Sequence, residues 1–192
     1  FAYVGIVNGV TYDFYVRGIE NGGAGPISSS SNDIQVNSLN FLKDPQYNYL
    51  YTATVIDSQQ VNVQFYVDTA ADISHYNVTR STSLNGVYQF MDVIPAFPGM
   101  NPFITYVDLD VDANASSYYY KIETINTCGD LKLTSNLGKT IWLDVEGEES
   151  GAYNTLTFTN YSDWAGNVNR YEIYRAIGGE WNSFPIAIIS PF

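Results

Sequence analysis

The sequence predicts an all-β chain built from two-sheet sandwich modules in tandem. Composition is the first reason: 17 Tyr and 10 Phe stand in 192 residues of which only 15% are charged, a mixture suited to pleated, half-buried surfaces. Patterning is the second. Short runs of period-2 alternation recur between Gly, Pro, Asn and Asp clusters, and no convincing 3.6-residue period persists over about eleven residues. Self-similarity is the third. Tyr12, Phe14, Val16 and Ile19 match Tyr118, Tyr120, Ile122 and Ile125, and both stretches run on to Ser-Asn, at Asn32 and Asn136. Tyr76, Val78 and Arg80 match Tyr171, Ile173 and Arg175. Both spacings are roughly 100 residues, the size of a small domain.

Taken along the chain, the first repeated stretch, from Thr11 to Asn32, is followed by a linker at 38–45 whose Pro45, like Pro26 before it, helps to end a strand. Residues 60–67 place Val61, Val63, Phe65 and Val67 on one face. His75, Tyr76, Val78 and Arg80 begin a further strand. In residues 103–111 the alternation puts Phe103, Val107, Leu109 and Val111 inward, with Asp108 and Asp110 outward. Residues 118–125 form a Tyr-rich strand, and Cys128-Gly129 makes the turn after it. The acidic run 144–149 reads as a solvated linker.

The segment from Val7 to Ser28 resembles strands F and G of a fibronectin type III module, with Tyr12 as the corner tyrosine that leads into strand F. The Tyr-x-Ile/Val-x-Arg segments resemble its strand C. The resemblance implies Ig-like, fibronectin type III β-sandwiches: residues 1–37 as strands E to G of one module, 38–147 as a complete module, and 148–192 as strands A to C′ of another. Asp108, Tyr118, Cys128-Gly129, Tyr161, Trp164 and Tyr171 to Arg175 further resemble repeats of gliding-motility-associated, type IX-secreted surface proteins of Bacteroidota. Where such repeats carry a second Cys on strand F, this chain has Tyr119. That resemblance implies a cell-surface or extracellular, structural or adhesive, glycosylated and non-enzymatic protein. With its last residues placed before its first, the chain repeats its internal module: Pro191 falls on Pro102, Phe192 on Phe103, Tyr3 on Tyr106 and Val4 on Val107. A window from a longer array accounts for this, as does strand complementation between copies that builds an open filament.

Charge narrows the partners. Twenty acidic against eight basic residues give a net charge of −12, which repels nucleic acid and anionic membranes. No apolar run is long enough for a transmembrane helix. The expected partners are neighbouring modules, copies of the chain itself and surface glycans.

Candidate chemistry is sparse. His75 is the only histidine, no nucleophile elbow accompanies it, and one His with one Cys is too few for a structural zinc site. Asp108, Asp110 and Asp112 are the candidate calcium ligands, weighed against solvated carboxylates. No other cofactor is expected. Cys128, the only cysteine, reads as a free buried thiol or a bridge to another chain. Thr69, in Asp68-Thr69-Ala70, resembles a Bacteroidota O-glycosylation acceptor. Asn77, Asn114 and Asn160 sit in N-glycan sequons. Trp164 and Trp181 are candidates for sugar stacking, against Trp164 capping the core and Trp181 pairing across strands. A carbohydrate-binding module, or an accessory module of a secreted enzyme, is the alternative function.

Overall fold

The computed structural model describes residues 5–7, 9–20, 28–38, 42–151, 153–162, 164 and 166–191. Tyr3, Val4, Pro26 and Phe192 lie outside the described residues. All regular structure among those described is β-strand, and every pairing is antiparallel. The chain divides into two compact units, residues 1–42 and 43–192.

The first unit holds β1 (Thr11–Phe14), β2 (Arg17–Ile19), β3 (Ser28–Ser30) and β4 (Ile34–Asn37). β1 pairs β4 and β2 pairs β3, giving one long interrupted hairpin. The Tyr12 hydroxyl accepts a hydrogen bond from the Val7 amide at 2.7 Å, the corner geometry its position suggests. No described side chain before Lys43 is fully buried.

The second unit contains a complete sandwich. One sheet is β5 (Asn48–Asp57), β6 (Gln60–Val67) and β9 (Phe103–Asp108), in the order β5-β6-β9. The other joins β7 (Ile73–Ser81), β8 (Gln89–Pro95), β10 (Tyr119–Asn126) and β11 (Leu131–Thr134) in the order β11-β10-β7-β8, with β12 (Gly138–Lys139) also on β10. A three-stranded sheet facing a five-stranded one, in which β11 and β12 share the same partner β10, is an Ig-like, fibronectin-type sandwich.

Alternation builds the core as the sequence leads one to expect. Val61, Val63, Phe65 and Val67 of β6 are buried against Tyr76 and Val78 of β7 and Tyr120 and Ile122 of β10. Each such side chain contributes about 1.5–3 kcal/mol by leaving water. The Phe65 and Tyr76 rings meet edge-on at 6.2 Å, and the Asn48 amide donates across the sandwich to the Ile122 carbonyl at 2.8 Å.

β9 departs from the expected phase. Its inward residues are Ile104, Tyr106 and Asp108, opposite Phe65, Val63 and Val61. Asp108 is only 1% exposed, whereas Leu109, expected inside, is 69% exposed, and Val107 also faces solvent. A buried carboxylate finds partners in the opposite sheet, and these fix the register.

The chain crosses the sandwich from end to end. It enters beside the β6–β7 loop, where Lys43 N donates to Asp72 Oδ2 at 2.7 Å and Lys132 bridges Asp44 at 3.2 Å. It leaves at the opposite end, where the Thr140 hydroxyl accepts from Tyr118 N at 2.8 Å. Beyond it lie β13 (Leu143–Gly147) paired with β14 (Asn154–Phe158), β15 (Tyr171–Ile173) paired with β18 (Ala187–Ile189), and β16 (Ala176–Ile177) paired with β17 (Glu180–Trp181). β13 and β14 form a hairpin over residues 143–158.

Candidate functional site

Asp108 is the centre of a polar network between the sheets. Its Oδ2 accepts from Arg80 at 2.8 Å and from the Tyr120 hydroxyl at 2.9 Å, and its Oδ1 accepts from the Asp110 amide at 3.0 Å. Arg80 also reaches the Asp110 carbonyl and lies over the Tyr118 ring at 5.2 Å. Burial, then the Asp108 charge, pushes the Tyr120 phenol well above its ordinary pKa; burial likewise lifts Tyr106 to about 12. Both phenols therefore stay neutral at physiological pH, and the network is an internal tie.

The three aspartates predicted as calcium ligands are not assembled into one site. Asp108 points inward, while Asp110 and Asp112 follow in the loop, where Asp112 Oδ1 accepts from Asn114 N at 3.1 Å. The Asp112 backbone binds the Tyr118 hydroxyl at 2.8 and 3.2 Å, a second tyrosine corner. Among the described residues no group of three His, Cys, Asp or Glu could hold a metal ion.

The remaining predicted residues are scattered. Thr69 is exposed in the turn after β6, beside Asp68, whose carboxylate accepts from the Gln46 and Ala70 amides at 3.0 Å each. Those two amides hold the Asp68 pKa below its usual value. Asn77 lies half-buried on β7 near Glu123, whereas Asn114 and Asn160 are exposed in loops. His75 is half-buried beside Ser74. Cys128 is exposed, contrary to the buried thiol expected, because the Asn126 side chain gathers the turn amides of Cys128 and Asp130 and Gly129 takes φ 89°. The turn thus projects away from the core.

Trp164 and Trp181 occupy unlike environments. Trp181 lies on β17 opposite Ala176 and is 71% exposed. Trp164 is held on two sides: its indole N–H donates to the Tyr51 carbonyl at 2.8 Å, and its ring leans on Tyr161 at a tilt of 38°, centroids 4.3 Å apart. Tyr161 is itself buried, its hydroxyl accepting from Ala53 N at 3.2 Å and its amide donating to the Tyr171 hydroxyl at 3.0 Å. Trp164 remains 43% exposed and lines a groove of about 530 Å³ with Tyr49, Tyr51, Thr52, Gly166 and Asn167. Asn167 also lines a second concavity of about 710 Å³ with Asn160 and Asn169. Sequence reasoning missed Tyr49, Tyr51 and Asn167. The signal was present in the alternation Tyr47-x-Tyr49-x-Tyr51, which sets aromatics on the face of β5 opposite Leu50.

No family model matches the chain, and no curated protein matches it. Among solved structures it is similar to a Fn3-like protein from Clostridium thermocellum, at 22% identity over 50% of this chain and 92% of that one, with a TM-score of 0.39. It is also similar to a beta-1,2-glucanase from Parabacteroides distasonis, at 19% identity over 62% of this chain and 16% of that one, with a TM-score of 0.37. The chain thus spans less than a fifth of the glucanase. Strand order and register define the sandwich.

Proposed function

We propose that this chain is a non-catalytic structural and adhesive repeat segment, displayed outside the cell or at its surface, whose sandwich spaces and orients neighbouring modules. The observation that carries this reading is the path of the chain, which enters the complete sandwich at one end and leaves at the other. Pulling on the flanking segments then loads the sheets along their strands. The first and last strands are tied side by side: Asn136 accepts from Leu50 N at 2.8 Å and donates to Leu50 O at 3.0 Å, completing a ladder through a side chain. The acidic balance of −12 suits a surface-displayed protein. The resemblance to type IX-secreted gliding-motility proteins agrees with this setting. Neighbouring modules or further copies are the partners that fit the apolar residues left exposed on β2, β4 and β13, among them Ile19, Ile34 and Val145.

Single-molecule force spectroscopy on the intact chain tests the reading. The module at 43–139 should unfold in a discrete force peak, and Asn136→Ala should lower that peak. A chain that extends without any peak would remove the spacer role.

A further inference from the structure

We propose that the groove formed by Tyr49, Tyr51, Trp164 and Asn167 is a binding site for a neutral oligosaccharide. This goes beyond spacing and does not depend on it. The first support is the state of Trp164. A sugar ring stacks its C–H face on an aromatic ring, and the interaction is strongest when that ring is already immobile, because no rotamer entropy is then lost. Trp164 meets this condition. The tilted Tyr161 ring packs against the indole and the Tyr51 carbonyl holds its nitrogen, while the side chain as a whole stays partly open to solvent. Tyr51 is positioned in turn by edge-on contacts with Tyr66 and Phe103, each at 5.9 Å.

The second support is the chemistry of the lining. Sugar hydroxyls both donate and accept, and the side-chain amide is the neutral group that does both in one plane. Asn167 stands where the aromatic groove meets the concavity lined by Asn160 and Asn169, so amides continue where the rings end. The third support is charge. The protein carries −12, yet none of the described residues lining either concavity is charged. An anionic glycan would meet the repulsion of the whole molecule with no basic residue to offset it. A cationic ligand would find no carboxylate among these residues. A neutral polyhydroxyl chain lying along the groove fits both facts, and volumes of about 530 and 710 Å³ are those of small-molecule clefts. Trp181 has no part in the site.

The test is a titration of the intact chain with cellohexaose, xylohexaose, laminarihexaose, mannohexaose and chitohexaose. Binding is followed by tryptophan fluorescence and isothermal calorimetry, with hexagalacturonate as the anionic comparison. At least one neutral hexasaccharide should bind. Trp164→Ala should weaken it about tenfold or more, the loss of roughly one good stacking contact. Asn167→Ala, which removes an exposed side chain and leaves the fold intact, should weaken it severalfold, and Trp181→Ala should leave it unchanged. If Trp164→Ala does not fold, as judged by its near-ultraviolet dichroism, Asn167→Ala decides alone. Failure of every neutral sugar to bind would overturn the proposal, as would equal binding of hexagalacturonate or an equal loss in Trp181→Ala. None of these results bears on the force peak, so the two readings stand or fall separately.

Discussion

Asp108 shows what one residue does to this fold. A buried carboxylate is tolerated because Arg80 and the Tyr120 hydroxyl meet it from the opposite sheet. Removing one partner of such a pair leaves an uncompensated charge, which costs about 3–5 kcal/mol. Arg80→Met should therefore lower the urea midpoint by that equivalent, and Arg80→Met combined with Asp108→Leu should recover most of it. A single variant within about 0.5 kcal/mol of the wild type would mean that the tie is energetically idle. The sequence alone favoured the wrong phase for a physical reason. Residues 103–108 alternate acceptably in either phase, and a carboxylate is the residue least expected inside. Its partner Arg80 is 28 positions away, and no local pattern pairs them.

At the scale of elements, the closure of the module depends on how near β12 comes to β5. A Cβ on Gly138 would overlap Leu50 Cδ2 and lie 2.8 Å from Cδ1, and Leu50 is buried in the core. Gly138→Ala should thus destabilise the module by about 1–3 kcal/mol through overpacking. Combined with Leu50→Ala, it should cost less than the sum of the two single changes, because each relieves the other. Strict additivity in that double-mutant cycle, read by chemical denaturation, would show that the close approach is absent. The strands themselves were legible, since the alternation in β6 and the Tyr-rich pattern of β10 need only their own residues. Gly138 was not, because the residue that demands it lies in another strand.

At the scale of the whole molecule, the two units differ in how much they bury. The second has a contiguous core, while among the described residues of the first no side chain is fully buried. Amide protection follows burial and cooperative packing. In hydrogen exchange on the intact chain, the amides of β6, β7 and β10 should exchange only by global unfolding. Those of β1 to β4 should exchange orders of magnitude faster. Comparable protection in both sets would mean that a partner, including a second copy, covers the first unit in solution, and dilution would then abolish it. The repeat spacing of about 100 residues was readable in the sequence, whereas the pairing of β13 with β14 was decided by the fold.

The sequence by itself determined the class of structure. Tyr- and Val-rich alternation, a repeat of about 100 residues and the corner tyrosine Tyr12 point to antiparallel sandwich modules, because these signals are local and survive any choice of neighbour. Only the tertiary structure decided the inward turn of Asp108, the exposure of Cys128 and the separation of Trp164 from Trp181. It also brought Tyr49, Tyr51 and Asn167 into one groove. Those outcomes depend on contacts between residues far apart in the chain, where packing and the cost of burying a charge settle what local pattern leaves open.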